Sequence, residues 1–191
     1  MARIPLDPPR TLTYRLTEWY SRRRFGAVAE PAAAMAHNPR VLRSNVRAEM
    51  SMDKWRALDP TLKDLAAMAA AVSIGCSWCV DFGYWTSASK GVDPAKLRAV
   101  PQWRDSDVFT DTERAVLGYA EAVTATPPAV TDAMVADLRD RLDDAALVEL
   151  TMMIAVENQR SRFNSALGLA SQGFSDRCEV PAPAFRTASS S

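Results

Sequence analysis

The chain is poor in histidine and cysteine and carries no excess charge of either sign. Of its 191 residues one is histidine and three are cysteine, while 23 Lys and Arg residues balance 23 Asp and Glu residues. The even balance gives no argument for binding nucleic acid or an anionic membrane. The few histidines and cysteines do not form two pairs of ligands, so we expect no metal site and no other cofactor.

Long apolar stretches are also missing. No run of about 18 apolar residues occurs, so the sequence predicts no membrane-spanning helix. The opening residues, MARIPLDPPR, contain no apolar segment of the length that a signal peptide needs. We therefore expect a cytoplasmic protein, and in that reducing compartment a close cysteine pair is more often catalytic, redox-active or metal-binding than structural.

The residues that are present favour an all-α fold, because Ala, Leu and Met recur at helical spacing and no segment is typical of a strand. Helix starts are marked by Asp59-Pro60, by Asp93-Pro94 and by the capping box of Thr110 and Glu113. The predicted helices cover residues 11–25, 31–50 with a break near 38, 60–75, 76–89, a short stretch after 94, 110–125, 131–142 and 143–169.

The chain divides into three parts. Residues 1–30 form an extension with a helix, residues 31–173 form the main domain, and residues 174–191 are polar and predict a disordered tail. The basic run Arg22–Arg24 is interpreted as solvated cations at a helix C-terminus, and a site for nucleic acid or an acidic partner is the alternative.

A faint internal repeat runs through the main domain. A shift of 85 residues brings Asp64 onto Glu149 and Met68 onto Met153. This match predicts two similar helical units, of which only the first carries cysteines.

Two cysteines, Cys76 and Cys79, lie three residues apart just after Gly75, where a helix is predicted to begin. That spacing places both side chains on one helix face and permits a reversible disulfide. Free N–H groups at a helix N-terminus lower a cysteine pKa from about 8.5 towards neutrality, which favours Cys76 as the reactive thiol. The alternative is that both cysteines are buried as small hydrophobic groups. Cys178 is interpreted as an incidental thiol or a distant resolving cysteine.

The segment 64–85, DLAAMAAAVSIGCSWCVDFGYW, resembles the core of the carboxymuconolactone decarboxylase-like superfamily and, within it, the alkylhydroperoxidase D-like (AhpD-like) branch. TDTERAVLGYAEAVT and LVELTMMIAVENQRSRFNSALGL resemble later helices of that family, and Asn158 and Arg162 match its pattern. The likeness covers residues 31–173. It implies an all-α bundle of six to eight helices that forms a homo-oligomer.

The resemblance also implies a chemistry. It predicts a thiol-dependent peroxidase or disulfide oxidoreductase, an antioxidant enzyme of the peroxiredoxin type that acts on a small hydroperoxide or disulfide. Cys79 would attack, Cys76 would close the disulfide, and Asp64 would accept the proton. An external dithiol, with a lipoyl-bearing protein as one candidate, would reduce the disulfide again. The helix-end argument favours the opposite order of the two cysteines, so the order stays open.

The sequence departs from the family pattern at two positions. Gly83 stands where the pattern has a histidine, and Trp78 stands where the well-studied peroxidase has another histidine. Two alternatives therefore remain. One is a non-redox decarboxylase or isomerase on the same scaffold, and the other is a non-catalytic oligomeric stress or binding protein that has lost the histidine relay.

Other side chains could line the site or replace the missing base, although core packing is the simpler role for the aromatic ones. These candidates are Trp78, Asp81, Tyr84, Trp85 and His37. The apolar face of the last predicted helix continues into polar residues. Polar groups that face the interior must find hydrogen-bond partners. This predicts a buried structural network of Glu157, Asn158 and Arg162.

Overall fold

A computed structural model describes residues 2–178, which contain nine α-helices, two short 3₁₀ helices and no strand. The all-α prediction is confirmed. There is one α-helix more than the expected range, because the break near residue 38 divides the segment 31–50 into two helices. No helix in this described part is long and apolar enough to cross a membrane.

The described residues form two compact units that divide after residue 55. The first unit holds α1 (Leu12–Phe25), α2 (Glu30–Met35) and α3 (Pro39–Met52), together with residues 167–169. Its core is built from Tyr14, Ala33, Ala36 and Leu42.

The second unit carries the thiols. Its helices are α4 (Pro60–Ile74), α5 (Ser77–Ser89), α6 (Pro94–Ala99), a 3₁₀ helix (Val100–Asp105), α7 (Asp111–Thr124), α8 (Asp132–Arg139), α9 (Asp144–Ala166) and a second 3₁₀ helix (Ser175–Arg177). The helix α4 packs against α7 and α9. Leu65, Leu117 and Leu150 are fully buried where these three helices meet, so the apolar faces of α4, α7 and α9 make the core that supports the site.

Helix ends in this unit follow from the residues that occupy them. The Asp59 carboxylate accepts hydrogen bonds from Thr61 N and Leu62 N at the start of α4. Gly75 ends α4 in the left-handed region with φ of 77°, which a glycine adopts without strain. Cys76 is the next residue and is the N-cap of α5. One glycine therefore turns the chain so that the cysteine pair opens a new helix.

The C-terminal segment is ordered further than the sequence predicts. Phe174 is fully buried, and Ser175–Arg177 form a 3₁₀ helix, so the expected tail does not begin at residue 174. Residues 179–191 of that predicted tail lie outside the described residues. The buried aromatic side chain of Phe174 helps to hold this otherwise polar segment in place.

Candidate active site

The two sulfurs meet at the N-terminus of α5. The Cys76 sulfur accepts a hydrogen bond from the backbone N–H of Cys79 at 3.3 Å, so Cys76 caps the helix with its own side chain. Both thiols are free, with Cys76 only 1% exposed and Cys79 7% exposed. The structure thus brings the pair together in a nearly closed site.

The other half of the site comes from α9. Asn164 Nδ2 donates a hydrogen bond to Cys79 Sγ at 3.2 Å. The Ser161 hydroxyl lies within hydrogen-bonding reach of both sulfurs and donates to Glu157 Oε1 at 2.8 Å. Residues spaced by four and three positions share one face of a helix, and this face of α9 is buried against the thiols.

The two thiols titrate as a unit. A hydrogen bond from the Cys79 thiol and another from the Cys79 backbone N–H lower the pKa of Cys76 to about 7, although burial acts in the opposite direction. The pKa of Cys79 is raised, because its proton is held by Cys76 and because burial and the nearby Glu157 carboxyl disfavour a second negative charge. The pair therefore loses one proton near neutral pH and keeps the other.

Glu157 is the carboxyl group that contacts the thiols. Its side chain is buried, and burial raises its pKa, although Arg160 Nη1 at 3.4 Å and the Ser161 hydroxyl partly offset that effect. The carboxyl group also lies within hydrogen-bonding reach of the Cys79 thiol. Because the neutral form is favoured, Glu157 can donate a proton in this site at pH values where an exposed glutamate cannot.

The acid expected from the resemblance, Asp64, binds elsewhere. Its two carboxylate oxygens lie 2.9 Å and 3.2 Å from Lys90 Nζ, at the C-terminal end of α5. The role of Asp64 as proton acceptor stays a prediction.

Asp81 binds backbone groups of the C-terminal segment. Its Oδ2 accepts hydrogen bonds from Gln172 N at 2.9 Å and Phe174 N at 3.1 Å, and its Oδ1 accepts one from Ser175 N at 2.7 Å. Burial acts to raise the pKa of Asp81, but the backbone N–H groups of Ser175 and Phe174 outweigh it and lower that pKa. Asp81 is therefore an ionised anchor for residues 172–175.

The aromatic candidates belong mainly to one cluster. The Trp78 ring stacks on Phe82 with centroids 4.8 Å apart, and Trp78 Nε1 donates to Gln172 Oε1 at 2.8 Å. Trp85 contacts both Phe82 and Phe174, and Tyr84 is fully buried. A role for these side chains in contacting a substrate stays a prediction.

The remaining candidates form hydrogen bonds to groups other than the thiols. His37 is in the first unit, where its Nε2 lies 2.8 Å from the Pro5 carbonyl oxygen. Asn158 donates to Thr124 Oγ1 at 2.9 Å, and Arg162 donates to the Thr124 carbonyl oxygen at 3.4 Å. Glu157 therefore does not share one network with Asn158 and Arg162. Glu157 faces the thiols, whereas Asn158 and Arg162 bind Thr124 at the end of α7.

Known proteins identify the family. Residues 39–122 match the carboxymuconolactone decarboxylase family. The chain is also 35% identical over 171 residues to the uncharacterized protein YnjA of Escherichia coli K12, in a match that spans 89% of this chain and 92% of YnjA. This chain belongs to the carboxymuconolactone decarboxylase family.

Solved structures agree on the fold of this family member. An uncharacterized peroxidase-related protein from Ralstonia eutropha JMP134, described as an alkylhydroperoxidase AhpD core, has a TM-score of 0.78 at 19% identity, and the match covers 91% of this chain and 94% of its own. A single-residue variant of the debrominase Bmp8, in complex with 2,3,4-tribromopyrrole, also has a TM-score of 0.78, at 18% identity, with coverage of 91% and 95%. At these identities the likeness shows the fold alone.

The missing family histidine has a packing explanation. A Cβ atom at Gly83 would lie 2.9 Å from the Met68 sulfur of α4. A histidine at this position therefore requires Met68 to move. The Met68 side chain of α4 thus lies where a side chain at position 83 would begin, and the titratable group beside the sulfurs is Glu157 of α9.

Asn164 is a site residue that the sequence analysis did not identify. Two signals point to it in retrospect. It continues the buried face of α9 beyond Ser161, and it lies 85 residues after Cys79, which is the offset of the internal repeat. Ser161 lies at the same offset from Cys76. No cluster of three or more potential metal ligands occurs among residues 2–178.

Proposed function

We propose that this protein is a dithiol oxidoreductase of the alkylhydroperoxidase type, which reduces a small hydroperoxide or disulfide through a Cys76–Cys79 disulfide cycle. The observation that carries the proposal is the pair of hydrogen-bonded sulfurs, in which the pKa of Cys76 is lowered to about 7. A thiolate present near neutral pH attacks an O–O or S–S bond, whereas a thiol does so poorly.

In the first step Cys79 attacks the oxidant. Cys79 is the more exposed of the two residues, and its proton passes to the Cys76 thiolate as it reacts. With a hydroperoxide, a bond forms between the Cys79 sulfur and the terminal oxygen while the O–O bond breaks. The departing alkoxide takes the proton from Cys76 and leaves as an alcohol. Cys79 is then a sulfenic acid, and Cys76 is a thiolate again.

In the second step Cys76 closes the disulfide. Its thiolate attacks the Cys79 sulfur, the S–S bond forms and the S–O bond breaks. The leaving hydroxide takes the proton of Glu157 and departs as water, which leaves Glu157 ionised until it regains a proton. With a disulfide substrate, Cys79 forms a mixed disulfide that Cys76 resolves in the same way. An external dithiol returns the enzyme to its reduced form by two thiol–disulfide exchanges.

The proposal is tested by alkylation and intact mass measurement after exposure to hydrogen peroxide. We expect wild type and Cys178→Ser, the matched control outside the pair, each to lose two alkylatable thiols. We expect Cys76→Ser and Cys79→Ser to form no internal disulfide. Unchanged alkylation of wild type at a large excess of peroxide contradicts the proposal and favours a decarboxylase, an isomerase or a non-catalytic protein.

Reductive removal of a halide from an aromatic ring is a second candidate. The fold is shared with the debrominase Bmp8, and Trp78, which lies between the two cysteines, belongs to an aromatic cluster that could receive a flat ring. In this reaction the dithiol supplies two electrons, the ring carbon gains a proton, bromide leaves and the disulfide forms. Bromide release from 2,3,4-tribromopyrrole, at a rate that exceeds peroxide turnover, would favour this candidate.

A further inference from the structure

The amide of Asn164 is only half satisfied. Its Nδ2 donates to Cys79 Sγ at 3.2 Å, but its Oδ1 is buried and has no hydrogen-bond partner among the described residues. The whole residue is only 2% exposed. A buried acceptor without a donor is costly, and native structures rarely leave one unless a ligand or water supplies the missing bond.

The position of Oδ1 indicates which kind of hydrogen-bond donor could bind it. Oδ1 and Nδ2 belong to the same planar amide group. Oδ1 therefore lies close to the hydrogen bond between Nδ2 and the Cys79 sulfur. The nearby Ser161 hydroxyl already donates to Glu157. The missing group is therefore a donor that arrives beside Cys79. A hydroperoxide has an O–H on the oxygen that is attacked, whereas a disulfide has no donor at its reacting sulfurs.

We propose that Asn164 is a specificity-determining residue, which accepts a hydrogen bond from the terminal O–H of a hydroperoxide through Oδ1 while Nδ2 holds the Cys79 sulfur. The inference rests on the proposed function. It distinguishes the two substrate classes of that function, hydroperoxides and disulfides. One rigid amide contacts both the nucleophile and the oxidant, so the attacked oxygen is held next to the sulfur before the S–O bond forms and the O–O bond breaks. Asn164 itself neither gives nor takes a proton.

This arrangement predicts discrimination between oxidants. A site built to bond an O–H group strongly prefers a substrate that carries it. Loss of a single positioned polar partner commonly lowers a rate by about 100-fold or more. We expect Asn164→Leu to lower the rate constant for a hydroperoxide by about 100-fold or more, and to leave the rate for a thiol reagent without donors nearly unchanged.

The experiment uses the full chain in a Cys178→Ser background, so that only the pair reacts. The hydroperoxide probe is tert-butyl hydroperoxide, and the donor-free probe is methyl methanethiolsulfonate, a small thiol-directed reagent. Thiol loss is followed by quenching and intact mass measurement. The readout is the ratio of the two rate constants. Asn158→Leu is the matched control, because it removes another asparagine of α9 whose bond is to Thr124.

A fall of this ratio in Asn164→Leu, with an unchanged ratio in Asn158→Leu, supports the inference. Equal changes toward both probes, or no change toward either, overturn it and leave Asn164 as a structural residue. Asn164→Asp provides a second test if the leucine variant fails to fold. It keeps the oxygen acceptor, so its ratio must stay near the wild-type value, and a collapse of that ratio also overturns the inference.

Failure of the proposed function has a different signature. A wild-type protein whose Cys76–Cys79 pair reacts with neither tert-butyl hydroperoxide nor methyl methanethiolsulfonate overturns both proposals at once. A wild-type protein that forms the Cys76–Cys79 disulfide, but whose ratio is insensitive to position 164, overturns only the assignment of Asn164.

Discussion

At the scale of single residues, the site depends on one proton shared by two sulfurs. Cys76 is charged near neutral pH because Cys79 donates to it from both its thiol and its backbone N–H. Burial raises the pKa of the neighbouring Glu157 carboxyl group. The site therefore moves the two pKa values in opposite directions, since that of the Cys76 thiol is lowered and that of the Glu157 carboxyl group is raised.

The first prediction concerns the thiolate. Thiolate absorbance in the far ultraviolet should rise with a midpoint at about pH 7 in wild type. Cys79→Ala should move the midpoint upward towards 9.0, because it removes the largest stabilising hydrogen bond. Cys178→Ser serves as the background. An unchanged midpoint in Cys79→Ala would mean that the helix N-terminus alone ionises Cys76.

The second prediction concerns catalysis by Glu157. Glu157→Gln removes the acid that protonates the leaving hydroxide in the proposed cycle, so closure of the disulfide should slow by about 100-fold or more, while sulfenic acid formation stays fast. Trapping of the sulfenic acid with dimedone measures both steps. A larger effect in Asp64→Asn than in Glu157→Gln would return the proton-transfer role to Asp64.

The same substitution gives a third prediction, on stability. The folded-state pKa of Glu157 is raised, so wild type loses stability as pH rises above the ordinary glutamate pKa of about 4.3, where the unfolded chain ionises before the folded one. Glutamine cannot ionise. The free energy of unfolding of Glu157→Gln relative to wild type should therefore increase as pH rises from about 5 to about 8 in urea titrations. A difference that does not change with pH would contradict the assigned burial effect.

At the scale of elements, the turn at Gly75 and the anchor at Asp81 hold α5 in place. Gly75 has a φ of 77°, and a Cβ atom added there would meet no neighbour within 4 Å. Any destabilisation by a side chain at this position therefore comes from the strained backbone conformation and not from a steric clash. Asp81 ties the middle of α5 to three backbone N–H groups of residues 172–175. The start and the middle of the thiol helix are thus fixed by different means.

The fourth prediction tests the turn. Gly75→Ala should destabilise the protein by about 1–2 kcal/mol, because an L-residue is strained in the left-handed region. Gly118→Ala is the matched control. Gly118 lies inside α7, and a Cβ there would lie at an ordinary 3.5 Å from the Trp103 ring, so alanine should be neutral or stabilising by up to about 1 kcal/mol. Equal effects in thermal unfolding would contradict the turn argument.

The fifth prediction tests the anchor. Asp81→Asn should destabilise the protein by about 1.5–3 kcal/mol, because it removes a charge that accepts three backbone hydrogen bonds. The folded-state pKa of Asp81 is lowered, so this contribution is present above the ordinary aspartate pKa of about 3.9 and is lost as pH falls through the folded-state pKa. Hydrogen exchange of the amides of residues 172–175 should rise in the variant. Unchanged exchange would show that Phe174 alone holds the segment.

At the scale of the whole molecule, the sequence predicts those features that depend on residues close together along the chain. Helix starts at Pro60 and Asp111 and the stop at Gly75 agree with the structure, because caps and turns depend on residues a few positions apart. The thiol pair was also predictable, since its spacing is local. The approach of Asn164 to Cys79 joins residues 85 positions apart, and only tertiary packing decides such a contact.

Two other features of the structure could not be predicted from the sequence, because both depend on tertiary packing. The sequence could not show that Phe174 is buried, because the residues after it are polar and composition averages over a segment. It also could not show that Glu157 would stand beside the thiols where an imidazole is absent, since that depends on how α9 rotates against α5. The helical stripe of α9 predicted that Glu157 is inward, but its thiol partners lie on another element.

The break at Gly75 has a consequence for what each helix can offer to the sulfurs. A helix that stops and restarts leaves unpaired amide hydrogens at its new beginning, and Cys76 uses one of them. The helix α9 runs without interruption from Asp144 to Ala166, so it has no spare amides beside the sulfurs and offers only side chains. The interruption between α4 and α5 thus supplies backbone donors to the thiol pair, and the unbroken α9 supplies side-chain partners.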